Sequence, residues 1–277
     1  MKQLSFFDNS AQVYVIESDD FIKPDSIDLG DYISVLSDEE KDRFNRYKNE
    51  KAKFTFLTAR YYLRFLLSEA ITKQDNLIAS ISSSNADCSN KCRQLDARPS
   101  ILRTRLVPSD FIRRHKFTET AEENKVEQAS CLLFIETTPS GKPYLKDYPN
   151  LFFNLTHTDN LILIALADSP VGVDVERLER NADKEAILKH FFSEREQQSY
   201  FSQPENQRQL AFFKGWTRKE ALLKATGEGL SKMNDYEVSF EPVTDKPIIN
   251  IKAEHKFNVK DFTPKEGYAA CLAILEK

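Results

Sequence analysis

The stretch LFFNLTHTDNLILIALADSPVGVDVERL, residues 151–178, decides the fold of this chain. It contains three short apolar runs, at 151–158, 160–167 and 170–178, which are separated by polar turns. Runs of this length between turn residues are typical of β-strands. Because consecutive strands joined by short turns pair with each other, the stretch predicts an antiparallel meander.

Helical periodicity marks three other stretches, at about 38–71, 183–200 and 207–226. Further strand-like runs lie before, between and after them. A parallel sheet would need regular alternation of strands and helices, and the sequence does not show it. We therefore expect an α+β fold in two halves.

Composition excludes several functional classes. The 277 residues carry 39 Lys and Arg against 43 Asp and Glu, a net charge of -4, so no overall basic field favours nucleic acid. The sequence has no apolar run of membrane length and no recognisable signal peptide, so we expect a cytoplasmic protein without a membrane partner. Its seven glycines form none of the common phosphate loops, and the elbow motif of serine hydrolases and the zincin motif are missing.

The segment 73–125 differs in character from its surroundings. It is rich in Ser, Asn, Asp and Arg, and we interpret it as a polar insertion, partly disordered, that either has no specific role or binds a partner. Cys88 and Cys92 with His115 lack a fourth zinc ligand at a sensible spacing, so reduced thiols are the simpler interpretation.

The run Val-Gly-Val-Asp-Val-Glu, residues 171–176, is the strongest chemical signal. Side chains alternate along a strand, so the three valines face one side while Asp174 and Glu176 share the other. Paired carboxylates suit a hard cation such as Mg²⁺, although such pairs are also common on solvent-facing strands. The strand alone leaves both interpretations open.

A second signal comes from FFKGWTRKEALLKATGEGL, residues 212–230. Trp216, Glu220 and Lys224 are four residues apart and therefore share one helical face. Glu and Lys at this spacing most often form an exposed ion pair. The neighbouring tryptophan favours a partly buried face, where a carboxylate needs a cation or hydrogen bonds.

Two polar turns could bind phosphate. Thr156 and His157 end an apolar strand, and Lys142 follows Gly141 in a turn; a structural histidine and an exposed turn lysine are the alternatives. The helical stretch 37–71 also has a local excess of basic side chains, which indicates either a solvated face or an anion-binding patch.

Five motifs in this order, GKPYL, FNLTHT, VGVDVERL, FFSEREQ and WTRKEALLKATGEGL, resemble those of the Sfp-type 4′-phosphopantetheinyl transferases. The resemblance implies a monomer of two pseudo-twofold-related α/β halves, residues 1–171 with the insertion at about 73–125 and residues 172–277. It also implies Mg²⁺, or Mn²⁺, and coenzyme A as co-substrate. The reaction would transfer 4′-phosphopantetheine to a serine of an apo acyl or peptidyl carrier protein and release 3′,5′-ADP.

The resemblance also assigns roles to residues by motif. The implied metal ligands are Asp174, Glu176 and Glu220, and the implied catalytic residues are Glu220 and Lys224. The implied coenzyme A contacts are Lys142, Thr156, His157, Lys219, Arg46, Lys53 and Arg60. A catalytically silent coenzyme A or carrier-protein binding protein and a metal-dependent pyrophosphohydrolase are the alternative functions, and the carrier served is left open.

Overall fold

The structure, a computed structural model, describes residues 1–84, 133–252 and 255–276. For residues 77–84 it describes the backbone only. The chain forms two compact units, Met1–Phe21 with Ile135–Lys277 and Ile22–Phe134. All strand ladders within the described residues are antiparallel. This arrangement confirms the predicted α+β class, while the division into pseudo-symmetric halves at residue 171 stays a prediction.

The described elements follow one another along the chain. The strands are β1 (Lys2–Phe6), β2 (Ala11–Glu17), β3 (Ile135–Thr137), β4 (Pro143–Leu145), β5 (Phe152–Thr158), β6 (Leu161–Ala167), β7 (Val171–Arg177), β8 (Tyr236–Val238), β9 (Ile248–Ile251), β10 (Phe257–Phe262) and β11 (Tyr268–Leu275). The α-helices are α1 (Leu29–Ser34), α2 (Asp38–Arg46), α3 (Glu50–Ser84), α4 (Lys184–Phe191), α5 (Glu194–Phe201) and α6 (Glu205–Thr226). Two short 3₁₀ helices lie at Ser18–Asp20 and Leu230–Asp235.

The predicted meander is correct for its first two strands and wrong for the third. β5 pairs with β6 in a four-stranded sheet of order β1-β2-β6-β5, whereas β7 belongs to a separate sheet of order β10-β11-β7. β7 pairs antiparallel with β11, with Asp174 opposite Cys271. β5 and β7 are joined instead by a side chain, because the buried Asn154 accepts a hydrogen bond from the Val173 backbone N–H at 3.0 Å.

The two faces of β7 have different surroundings, as the alternation predicted. Val171, Val173 and Val175 pack in one apolar cluster with side chains of β6 and β11. The opposite face, which carries Gly172, lies against α6. A second apolar cluster packs α6 against α4, α5 and β11. β7 is thus held between an apolar core and a helix.

Of the two helical stretches predicted in the first unit, one ends where the sequence predicts and the other is divided. α6 ends at Gly227, which adopts a left-handed φ of 79°. The helical stretch predicted at 183–200 is two helices rather than one, because Ser193 caps a new helix by accepting a hydrogen bond from Glu196 N.

The second unit is helical over its described part. Ser37 and Glu40 form the predicted capping box of α2, and Phe44, Phe56 and Leu57 lie in an apolar cluster of α1, α2 and α3. α3 runs to Ser84, well beyond the end expected near residue 71. Most of the predicted insertion lies outside the described residues, including the helix expected near 110–115 and the Cys88, Cys92 and His115 group. No helix in the described ranges is both long and apolar enough to span a bilayer.

Candidate active site

An unusually close approach of β7 to α6 creates the candidate site. A Cβ atom on Gly172 would lie 2.0 Å from the Ala221 carbonyl oxygen and 2.4 Å from the Ala225 nitrogen. Any side chain there would push the strand off the helix. Glycine therefore allows two carboxylates on the strand to share a pocket with the helix residues Glu220 and Lys224.

The pocket formed in this way is polar and has a volume of about 650 Å³. Its lining residues come from the ends of β5 and β7, from the turn after β7 and from α6. They are Thr156, His157, Thr158, Asp159, Asp174, Val175, Glu176, Arg177, Glu179, Arg180, Asn181, Trp216, Glu220 and Lys224. Five carboxylates thus face three basic side chains, besides a histidine, in one open cleft.

Asp174 is the centre of the pocket's hydrogen bonding. Its Oδ1 accepts from Lys224 Nζ at 2.6 Å and from Thr156 Oγ1 at 3.1 Å. Its second oxygen, Oδ2, is buried and has no hydrogen-bond partner within the described residues. A buried carboxylate oxygen without a donor is costly, so this atom is suited to bind a ligand.

Burial disfavours the charged form of two glutamates of the pocket, Glu176 and Glu220. Burial raises the pKa of Glu220, and repulsion from Asp174 raises it further despite the attraction of Lys224, whose Nζ is 3.9 Å away. Burial likewise raises the pKa of Glu176, with Asp174 adding to the shift and Arg180 opposing it. Burial is therefore the main cause of both shifts, and the negative charge of Asp174 adds to it.

Lys224 is held in its charged form. Burial lowers the pKa of this lysine, but the attraction of Asp174 and then of Glu220 outweighs burial, so the net shift is upward. The Nζ also lies 3.5 Å from Thr156 Oγ1. A lysine that stays protonated here supplies a fixed positive charge inside the pocket.

The donor set fits a hard divalent cation by its chemistry. Asp174, Glu176 and Glu220 are among the carboxylates that line one pocket, one oxygen of Asp174 is buried without a donor, and burial together with repulsion from Asp174 raises the pKa of both glutamates. Among the described residues, however, no three His, Cys, Asp or Glu side chains are already arranged to hold a metal ion. Asp174 and Glu176 instead pair with basic side chains, Lys224 and Arg180.

Lys142, a predicted coenzyme A contact, lies at the end of α6. Its Nζ donates to the carbonyl oxygens of Ala225 and, at 3.4 Å, of Val171. A Cβ on Gly227 would lie 2.9 Å from the Lys142 side chain, so the lysine crosses directly over the helix terminus. Burial lowers the pKa of Lys142 to about 8. It lines a second, smaller pocket of about 210 Å³ that shares Glu220 and Lys224 with the first.

The structure gives Lys219 an environment that the sequence did not reveal. This lysine is fully buried and lines neither of these two pockets. Its Nζ donates to Glu196 Oε2 at 2.9 Å and to the Phe191 carbonyl oxygen at 2.7 Å. Glu196 is also fully buried and accepts from Val238 N at 2.8 Å. These contacts favour a structural role for Lys219 over the predicted coenzyme A contact.

The three basic residues predicted on the helical stretch lie in the second unit. Arg60 pairs with Glu40 at 3.1 Å, and burial lowers the pKa of Arg60. The Lys53 ammonium lies 4.4 Å from the centre of the Phe44 ring, and Arg46 is exposed in the last turn of α2. Their predicted role in coenzyme A binding stays a prediction.

Two residues of the first unit that the sequence did not single out form ion pairs with predicted site residues. Arg180 binds Glu176. The sequence signal for this pair is a basic residue four positions after Glu176, just past the end of β7. Glu196 binds Lys219, and its local signals are the capping pattern with Ser193 and its place in the motif FFSEREQ. Trp216, which the sequence analysis did note, lines the pocket and packs edge-on against Phe191.

Comparison with known proteins finds similarity to one family over part of the chain. Residues 170–273 match the family model of the 4′-phosphopantetheinyl transferase superfamily. The chain is 36% identical to the 4′-phosphopantetheinyl transferase HetI of Nostoc sp. over 138 residues, 48% of this chain and 57% of HetI. It is 39% identical to psf-1 of Bacillus pumilus over 99 residues, which cover 36% of this chain and 42% of that relative. Against Sfp of Bacillus subtilis the identity is 27% over 145 residues, 51% of this chain and 59% of Sfp.

Fold and site together define an α+β protein with a cleft rich in carboxylates between a strand and a helix. Residues 170–273, which include β7 and α6, match the model of the 4′-phosphopantetheinyl transferase superfamily, and the relatives similar to this chain carry that name. Its matches span about half the length of the curated relatives. The family resemblance predicted from the five motifs is confirmed.

Proposed function

We propose that the chain transfers 4′-phosphopantetheine from coenzyme A to a serine hydroxyl of an apo acyl or peptidyl carrier protein. One observation carries the proposal: Asp174, Glu176, Glu220 and Lys224 share a pocket with Thr156 and His157. Three of the family-like motifs, FNLTHT, VGVDVERL and WTRKEALLKATGEGL, thus supply side chains to one pocket. The relatives are named 4′-phosphopantetheinyl transferases, and the chemistry of the pocket supports proposing the same activity for this chain.

The reaction forms one phosphorus–oxygen bond and breaks another. The serine oxygen attacks the β-phosphorus of coenzyme A, and the bond from that phosphorus to the bridging oxygen breaks. 3′,5′-ADP leaves with the bonding electron pair, while the serine loses its proton. Positioning and electrostatic stabilisation dominate the catalysis of such transfers.

Glu220 is the proposed acceptor of the serine proton. Burial raises its pKa, which makes it a stronger base than an exposed glutamate. Lys224 would neutralise charge on the leaving phosphate, because Asp174 and Glu220 keep its ammonium protonated. Thr156 and His157, at the pocket end of β5, would bind phosphate oxygens.

A divalent cation is part of the proposal, as Mg²⁺ or Mn²⁺. Asp174, Glu176 and Glu220 would hold it, since oxygen ligands are those that Mg²⁺ prefers. When bound, it would supply positive charge for the pyrophosphate oxygens. The unpartnered Oδ2 of Asp174 supports this assignment.

Intact mass spectrometry tests the proposed activity. Apo carrier proteins of the fatty-acid, polyketide and peptide classes are incubated with the protein, coenzyme A and Mg²⁺, beside an EDTA control and the Asp174→Asn variant. We expect one phosphopantetheine to be added to at least one carrier, and addition to cease with EDTA or in the variant.

The other outcomes separate the alternatives. Coenzyme A binding without transfer to any carrier would indicate a silent binding protein. Release of 3′,5′-ADP in the absence of carrier would indicate a pyrophosphohydrolase. The cytoplasmic location, the monomeric state and the exclusion of nucleic-acid and membrane partners stay predictions.

A further inference from the structure

The turn that follows β7 is a built feature of the first unit. Arg180 N donates to the Arg177 carbonyl oxygen at 3.0 Å, which closes the turn. Leu178 N donates to Gly267 O at 2.9 Å, and the Gln209 side chain donates to Leu178 O. Because these bonds fix the turn to the β10–β11 connection and to α6, the turn places Arg180 reproducibly over the end of the strand.

Arg180 uses this position to bind a residue of the site. Its Nη1 lies 2.6 Å from Glu176 Oε1. The Glu176 side chain is 10% exposed, whereas that of Arg180 is 56% exposed. The carboxylate is therefore the fixed partner, and the guanidinium can move into solvent without unfolding its surroundings.

The same carboxylate is one of the three proposed to hold the divalent cation. A hard cation is coordinated by oxygen ligands such as a carboxylate, and the guanidinium already occupies one oxygen, Oε1, of Glu176. Two cations cannot share that oxygen closely without strong repulsion. A metal at this oxygen displaces Arg180, and a metal at the other oxygen of Glu176 is repelled by the nearby guanidinium. In both cases the two positive charges compete for one carboxylate.

We propose that Arg180 competes with the divalent cation for Glu176 and thereby lowers the metal affinity of the free protein. This inference rests on the proposed metal site and adds a positioning residue outside the motifs that define it. The guanidinium neutralises Glu176 while the metal is absent and leaves it when the metal binds. The metal affinity of the free protein then depends on the difference in free energy between the contact of Glu176 with the metal and its contact with Arg180.

Titration of the free protein with Mn²⁺, with the unbound ion counted by its paramagnetic resonance signal, tests the competition without measuring activity. Arg180→Gln should bind Mn²⁺ about two- to fivefold more tightly than the wild type, the range expected for loss of one partly exposed ion pair. Arg180→Lys, which keeps the charge, should return the affinity toward the wild-type value.

Arg177→Gln is the matched control. Arg177 lines the same pocket and carries the same charge, but it pairs with the exposed Glu179 instead of Glu176. Its removal should change the Mn²⁺ affinity by less than about twofold, because only the general field changes. If both variants tighten binding equally, the effect is one of net charge, and the proposed competition is wrong.

The remaining outcomes are equally decisive. Unchanged or weaker binding by Arg180→Gln, while Asp174→Asn abolishes binding, would overturn the competition and leave the metal site standing. Failure of the wild type to bind Mn²⁺ more tightly than Asp174→Asn would overturn the metal site and the competition together. Loss of the Arg180 effect in a Glu176→Gln background would support the assignment of Glu176 as the shared oxygen donor.

Discussion

Helix α6 carries charged side chains on two faces, and the two faces differ in how fully charge is satisfied. Towards the core, Lys219 is paired with Glu196, and Arg218 with Asp261 and the carbonyl oxygens of two neighbouring residues. Towards the pocket, Glu220 and Lys224 meet a carboxylate that keeps one buried oxygen unpartnered among the described residues. Burial of charge is therefore common to both faces, and incomplete neutralisation distinguishes the candidate site.

The largest expected effect on stability comes from breaking the core-side pair. Lys219→Met removes the partner of a fully buried carboxylate, so the free energy of unfolding should fall by about 3–5 kcal/mol. Urea unfolding at neutral pH measures this change. A loss below about 1 kcal/mol would mean that Glu196 is satisfied by its backbone donors alone.

Glu220→Gln is the control on the pocket side of the same helix. Burial and repulsion raise the pKa of this glutamate, so a neutral amide of the same shape should leave stability unchanged or higher. A loss as large as that of Lys219→Met would remove the distinction between the two faces.

The contact between β7 and α6 gives the next effect. Gly172→Ala should lower the free energy of unfolding by about 3 kcal/mol, because the added methyl group meets helix backbone atoms that cannot rotate away. Transfer activity should fall with it, since the strand carries two of the site's carboxylates. Gly30→Ala is the matched control: this helical glycine has open space around its Cβ direction, and alanine there should be neutral or stabilise by up to about 1 kcal/mol.

The smallest effect concerns Lys142 and pH. The folded-state pKa of about 8 lies below the ordinary value of 10.5, so between these values the unfolded chain binds a proton that the folded chain has lost. Stability should therefore rise with pH across this window, by about 1–2 kcal/mol, and the rise should be missing in Lys142→Met. Lys146→Met, at a largely exposed lysine nearby, should keep the wild-type slope. Equal slopes in all three proteins would show that Lys142 keeps its proton through its carbonyl contacts.

Local periodicity explains which features of the site could be predicted. Alternation along β7 placed Asp174 and Glu176 on one face, and four-residue spacing on α6 placed Glu220 and Lys224 together. The left-handed end of α6 at Gly227 was likewise a local signal. Each of these three features depends only on residues close to one another along a single strand or helix.

Features that depend on distant partners could not be predicted. β7 pairs with β11, nearly a hundred residues later in the chain, and no local pattern distinguishes this partner from β6. The direction of Lys219 depends on Glu196, and the charge of Arg60 is balanced by Glu40 on another helix. Sequence spacing shows that such groups exist but not which of them neutralise one another.

The central claim is that the pocket face of α6 is catalytic and its core face structural. The most direct test measures phosphopantetheine transfer by Glu220→Gln in the same preparation used for unfolding. The account predicts that the rate falls by about 10³-fold, as expected for loss of a proton acceptor, while the free energy of unfolding is unchanged or higher. A rate within tenfold of the wild type in a fully folded variant would contradict the assignment of Glu220.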